Sequence, residues 1–262
     1  MLEITRVGPL SGWGWILDAL RLFRRSPLAW LVMNLTLLFL GSALMLAPLV
    51  GPLVFALLTP VFMAGMMQAC YDQEHGAEVK ISHLFRGFRS NPAQLVTIGG
   101  VYLVGQILVA AIMTWLGGEE LRHALNQALQ GSPPAQVAPA SSDRVFFALL
   151  VGSVLFVPLA MAVWFAPALV CLAGVPALRA LRLSMQACVR NLPAMLVYSV
   201  VLALVIVLAL LALRLALSVL PAALTFLKGF AALTILVGWV TVTLITVYTS
   251  YRELFAEGES RA

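Results

Sequence analysis

The sequence predicts an all-α polytopic membrane bundle. It has six transmembrane helices, two or three interfacial amphipathic helices on the cytoplasmic face, and an internal repeat of surface helix plus hairpin. Three observations carry this reading. Apolar residues make up 62% of the chain and charged residues 10%, against about a quarter charged in an average soluble domain. With a mean hydropathy of +1.00, a soluble fold would lack the polar surface needed to cover its core. Apolar stretches near the ~20 residues that a spanning helix needs recur six times. Finally, the basic residues fall almost entirely on one side of those stretches.

The spans are placed at 28–47, 53–71, 93–116, 145–171, 194–213 and 229–250, within a single integral membrane domain covering 1–262. They are continuous runs without alternation, which excludes a barrel. The first apolar run continues directly into a second, so the start reads as a span and not as a cleaved leader. Pro48-Leu49-Val50-Gly51-Pro52 is too short for anything but a hairpin turn between the first two spans. The outer loop, 117–144, opens with a predicted short helix over 119–130. Two glutamates, Glu119 and Glu120, stand at the start of that helix, where its dipole favours them. Residues 131–142 are a Ser/Pro/Ala-rich connector. Pro60, Pro158 and Pro167 fall inside spans and predict kinks.

Twelve of the sixteen Lys and Arg residues lie before the first span, after the last, or in the even-numbered connections. Arg122, Arg144 and Lys228 lie on the other side, and Arg214 closes the fifth span near that interface. Positive charge is retained on the cytoplasmic side, so both termini are expected there. This explains the net charge of +5 without a nucleic-acid partner. The three cysteines imply no disulfide framework.

Three cytoplasmic segments resemble one another. Arg24-Arg25-Ser26-Pro27, Arg89-Ser90-Asn91-Pro92 and Arg190-Asn191-Leu192-Pro193 each place an Arg just before a Pro that opens a span. In the first, Gly14, Asp18, Arg21 and Arg25 form a polar line, opposite Trp13, Ile16, Leu17 and Leu20. In the third, Arg179, Arg182, Gln186 and Arg190 form the polar line, opposite Leu178, Leu181 and Met185. Basic amphipathic helices of this kind lie in the interface plane. Trp13, Trp15, Trp30 and Tyr71 read as an interfacial aromatic belt, with Trp115 at the other interface.

Chemistry-bearing groups are sparse. The span interiors lack Asp, Glu, Lys and His, which disfavours an ion-coupled carrier. Asn34, Thr36, Gln68, Thr97, Gln106, Thr114, Thr241, Thr243 and Thr246 are expected to hydrogen-bond between helices. Asp72, Glu74, His75, Glu78 and His83 gather after the second span beside Cys70, but their spacing matches no usual metal-ligand pattern, so a solvated loop is expected. No catalytic, cofactor or metal residues are assigned, and the chain is read as non-enzymatic.

Gly12-Trp13-Gly14-Trp15-Ile16, Phe23-Arg24-Arg25-Ser26-Pro27-Leu28-Ala29-Trp30, Pro48-Leu49-Val50-Gly51-Pro52 and His83-Leu84-Phe85-Arg86-Gly87-Phe88 resemble a family of uncharacterised proteobacterial six-span inner-membrane proteins. The segment 180–193 is distantly similar to the membrane domain of some glycerophosphodiester phosphodiesterases. The resemblance implies location and fold and carries over no functional residue.

The expected function is therefore a lipid-organising or partner-holding component of the bacterial inner membrane. Arg21, Arg24, Arg25, Arg86, Arg89, Arg179, Arg182 and Arg190 would form its anionic-lipid surface, each contributing ~1 kcal/mol near an anionic leaflet. The expected partners are anionic membrane lipids, with a membrane protein or a second copy of the chain beside them. The alternative is a transporter or channel for a small or amphiphilic solute, which predicts a cavity lined by Gln106 or the threonines.

Overall fold

The computed structural model describes residues 3–47, 50–129, 142–218 and 225–255. These residues form α1 (Ser11–Arg25), α2 (Pro27–Leu44), α3 (Val50–Glu74), a 3-10 helix (Ile81–Phe88), α4 (Pro92–Leu129), α5 (Ser142–Trp164), α6 (Ala166–Ala173), α7 (Ala177–Arg190), α8 (Leu192–Ser218) and α9 (Thr225–Phe255). Six helical stretches are long and apolar enough to cross a membrane: Pro27–Leu44, Val50–Glu74, Pro92–His123, Asp143–Ala173, Leu192–Leu215 and Lys228–Phe255. All six predicted spans are present. The turn at Pro48 and Leu49 and the connector 131–141 lie outside the described residues.

The three hairpins, α2–α3, α4–α5/α6 and α8–α9, are each preceded by a short helix: α1, the 3-10 helix and α7. The surface helix plus hairpin is thus present three times. The middle surface element departs from the other two, being eight residues of 3-10 geometry.

The three short helices and the ends of α3 and α9 meet at one end of the bundle, here termed the basic end. Trp30 at the start of α2 donates to Gln73 at the end of α3 (3.1 Å). The Ala177 N–H of α7 donates to Gln94 at the start of α4 (2.7 Å). The Thr5 N–H donates to the Leu254 carbonyl (2.9 Å). The side chain of Asn191, between α7 and α8, accepts from the Val7 N–H (2.9 Å) and donates to the Thr5 carbonyl (3.1 Å). It thereby pairs both backbone groups of a passing segment.

The core sits at this end. Trp15, Trp30, Phe62, Met66, Leu84, Leu95, Phe165, Leu169, Tyr198 and Ile245 are buried, whereas Val104, Leu108, Trp115, Val154, Val207 and Leu211 are exposed. α3 is the most enclosed span and α8 the least. In lipid, apolar side chains gain little by leaving their surroundings, so helices associate where small residues and polar partners allow close packing.

Two glycines make the close approaches possible. A Cβ on Gly12 would collide with the Ala194 carbonyl and the Tyr198 backbone of α8, and one on Gly87 would collide with the Val61 carbonyl of α3. Consequently α1 packs on α8 and α9 more extensively than those two pack on each other, and the 3-10 helix lies directly on α3.

Several expectations are corrected. The fourth span is two helices, broken at Phe165. Pro167 cannot supply an N–H to the ladder, and the opening is filled by Ser184 of α7. Its hydroxyl accepts from the Phe165 N–H (2.9 Å) and donates to the Met161 carbonyl (2.6 Å). The break near Pro167 is the opened backbone that a proline inside a span predicts, whereas the helices continue through Pro60 and Pro158. The short outer helix is the continuation of α4 beyond a kink at Gly118 (φ 66°, ψ −154°), a conformation that favours glycine. There Arg144 Nε donates to the Leu116 carbonyl (2.8 Å).

Trp15 and Trp30 belong to the core and not to an aromatic belt, while Trp13, Tyr71 and Trp115 are exposed. The buried face of α7 is Ala177, Ala180, Leu181, Ser184, Ala187 and Cys188, with Leu178 turned outward. Small side chains admit close contact where leucines would hold the helix away.

Of the nine uncharged polar residues expected to join helices, Thr246 does so, through the Tyr198 hydroxyl (2.7 Å). Cys171 makes a long thiol contact to Gln68 (3.8 Å). Thr36, Thr97, Thr114, Thr241 and Thr243 instead donate to carbonyls one turn back on their own helices. In an apolar medium that carbonyl is the nearest acceptor. Asn34 likewise donates to Trp30 on its own helix.

Candidate functional site

The basic end carries most of the ion pairs that the structure forms among the described residues. Arg252 of α9 stands at its centre. It pairs with Asp18 of α1 (2.9 Å) and with Glu74 of α3, and Glu74 also accepts from the Tyr248 hydroxyl (2.7 Å). One guanidinium therefore ties three elements, as its forked donors allow. Beside it, Glu253 accepts from Ser11 Oγ (2.8 Å) and Trp15 Nε1 (2.5 Å). Asp18, Arg21, Arg25, Glu74 and Arg252 border a polar pocket of about 160 Å³.

A second junction forms between α3 and the 3-10 helix. Asp72 accepts from Gln68 (2.9 Å), pairs with Arg86 and lies 3.1 Å from His83 Nε2. His83 Nδ1 lies within reach of the Lys80 backbone N–H (3.0 Å) and carbonyl (2.9 Å). The expected solvated loop is thus corrected for His83, which is buried. Asp72 and His83 do meet, but an arginine shares the carboxylate, and among the described residues no three His, Cys, Asp or Glu groups are placed to hold a metal ion. Ser82, Phe85, Arg86 and Arg89 border a neighbouring pocket of about 260 Å³.

All eight arginines of the predicted surface are exposed, on α1 (Arg21, Arg24, Arg25), on and just beyond the 3-10 helix (Arg86, Arg89), and on α7 (Arg179, Arg182, Arg190). Arg21 pairs with Asp18 (2.5 Å) and Arg86 with Asp72. The other six make no ion pair among the described residues. The structure brings Arg21 and Arg25 to one pocket and Arg86 and Arg89 to another, and leaves the α7 arginines outside both.

By sequence alone Glu74 and Arg252 are only loop and terminal charges. The signal that could have joined them to Asp18 was the isolation of Asp18 on an otherwise basic polar line. Nothing local marks Ser184, and Asn191 stands in the third repeated segment, where only the arginine and the proline carry a signal.

Of the cysteines, Cys70 and Cys188 are buried and Cys171 is half-buried. Burial pushes the Cys188 thiol of α7 up to about 12, the behaviour of an inert packing group.

In the apolar region, Leu37, Leu38, Gly41, Phe55 and Leu236, with Asn34 and Ser42, line a pocket of about 460 Å³ between α2, α3 and α9. Gln106 is not part of it. Its side chain lies near Tyr102, one turn away on α4.

No family model and no solved structure matches the chain, and no comparison supports the similarity to the phosphodiesterase membrane domain. A probable inner membrane protein of Burkholderia thailandensis is 32% identical over 216 residues, which cover 76% of this chain and 75% of that protein. With six apolar helices long enough to span, this is an integral membrane protein. At that identity and coverage, the chain belongs to the family of the Burkholderia probable inner membrane protein.

Proposed function

We propose that the protein is a non-enzymatic component of the bacterial inner membrane whose basic end faces the cytoplasm and holds anionic lipid, organising it or presenting it to a partner protein. The supporting observation is the eight exposed arginines on three short elements whose opposite faces are buried in the bundle. Such residues add to an attraction that falls off within a Debye length of an anionic surface. The test is reconstitution of the protein in phosphatidylcholine bilayers with and without phosphatidylglycerol, followed by mass spectrometry of the lipids retained on purification. Phosphatidylglycerol should be enriched at low salt, less so at high salt, and not at all once the eight arginines are replaced by glutamine. Undiminished enrichment in that variant would sink the proposal.

The pocket between α2, α3 and α9 supports a second reading, transport of a small amphiphilic solute, because its lining is apolar with Asn34 and Ser42 as the polar groups. Flux of such a solute into proteoliposomes, abolished by Gly41→Phe, would favour it over the lipid-holding reading.

A further inference from the structure

α1 bridges α8 and α9, and beneath it those two spans part. Leu20 and Phe23 from α1, Ile206 and Ala209 from α8, and Gly238 and Trp239 from α9 line a cleft of about 180 Å³. A Cβ on Gly238 would meet nothing within 4 Å, so the cleft is open at the level of the α9 backbone. Its lining is almost wholly apolar, and an apolar void forfeits the contacts that neighbouring atoms would supply. The cleft is too small to admit a helix, which needs 8–10 Å between axes, but it can take a length of hydrocarbon chain.

The charges above it are unequal. Arg21 is paired with Asp18, and Arg25 borders the pocket that holds Asp18 and Glu74. Arg24, the immediate neighbour of Phe23, is exposed and makes no ion pair among the described residues. Arg24 also stands one helical turn beyond Leu20, which with Phe23 lines the cleft, and an exposed cation so placed, unpaired among the described residues, complements a molecule with an anionic head and a hydrocarbon tail.

We propose that this cleft is a binding site for one anionic phospholipid, its phosphate held by Arg24 and one acyl chain lying between α8 and α9 beneath α1. The inference rests on the lipid-holding reading and gives it a defined seat.

The experiment uses the full-length protein in nanodiscs containing phosphatidylglycerol with a photoactivatable diazirine in one acyl chain, with adducts mapped by mass spectrometry. Adducts are expected on α8 near Ile206 and Ala209 and on α9 near Gly238 and Trp239. Gly238→Leu fills open space, so the bundle should remain intact while these adducts fall to background. Bulk phosphatidylglycerol enrichment, which depends on the whole basic end, should persist in that variant. Arg24→Gln should lower cleft labelling by the phosphatidylglycerol probe by about fivefold, with little effect on a phosphatidylcholine probe. Soluble glycerophosphate should not compete. Equal labelling by the two probes in the unaltered protein, or cleft adducts that survive Gly238→Leu, would overturn the proposal. So would cross-links from the cleft to a second copy of the chain in place of lipid. Loss of bulk enrichment in the variant lacking all eight arginines, alongside failure in the cleft, would leave the general reading standing and remove only the seat.

Discussion

Ser184 shows how one hydroxyl serves two helices. Pro167 leaves the end of α5 without a regular ladder, and the Ser184 hydroxyl joins the buried Phe165 N–H to the half-buried Met161 carbonyl, which also takes a long contact from the Cys188 thiol (3.7 Å). Replacing it with alanine orphans the Phe165 N–H and leaves the Met161 carbonyl only the Cys188 thiol. An orphaned group of this kind costs roughly 1–3 kcal/mol when buried and unmade, so Ser184→Ala is expected to destabilise the protein by about that amount, read as an earlier transition in a detergent-solubilised unfolding curve. An unchanged midpoint would mean that water reaches the break. Cys188, one turn along α7, offers a second probe of the same contact. Its thiol is raised to about 12 by burial, so in the folded protein it stays protonated up to and well beyond pH 8, and alkylation needs the thiolate. Cys188 should therefore resist maleimide at pH 8 in the native protein and react once α7 is unseated. Ser184→Ala should accelerate that reaction, and rapid labelling of the native protein would contradict the packing described.

Among elements, the contact of the 3-10 helix with α3 depends on the absence of a side chain at Gly87. Any Cβ there meets the Val61 carbonyl, which is backbone and cannot swing aside. Gly87→Ala should lift the segment from α3, separate Arg86 and His83 from Asp72, and raise hydrogen exchange over Ile81–Phe88 while α8 and α9 stay protected. Exchange unaltered from the native pattern would show that α3 can yield instead. The Arg252 junction is a different kind of link. Its pairs with Asp18 and Glu74 are partly exposed, so each is worth at most ~1 kcal/mol, too little to hold the bundle together. Their effect is on position, since they tie α1 to α3 and α9 at one point. Arg252→Gln should leave the unfolding transition nearly in place yet speed hydrogen exchange in α1. A large loss of stability would mean that the junction bears more than these exposures allow.

At the scale of the whole molecule, the legible and illegible parts of the sequence divide along the membrane. The six spans could be read because lipid demands that every spanning segment be a long apolar helix. The exposure of the eight arginines followed from charge alone. What held the basic end together could not be read this way. Trp15 and Trp30 have the composition of interfacial anchors, and only their partners Glu253 and Gln73 make them core. Pro158 and Pro167 look alike in sequence, yet the helix runs on through the first and breaks near the second, where the Ser184 hydroxyl of α7 takes up the opened backbone groups. Asp18 and Arg252 are 234 residues apart, beyond any local pattern. The same division yields a test of orientation. The N-terminal segment and the end of α9 lie together, joined by Thr5 and Leu254, so with six spans between them both must face one compartment. The basic residues crowd that end, and positive charge is retained in the cytoplasm. A cysteine at exposed Leu10 should then react with a membrane-impermeant maleimide in inside-out vesicles and stay silent in intact spheroplasts. A cysteine at exposed Glu120, beyond the α4 kink, should show the opposite pattern. The native Cys70 and Cys188 are buried and should add little background. Labelling of both positions from one side would contradict the six-span topology, and a reversed pattern would place the arginines away from the cytoplasmic leaflet, where the anionic lipid they are proposed to bind is available.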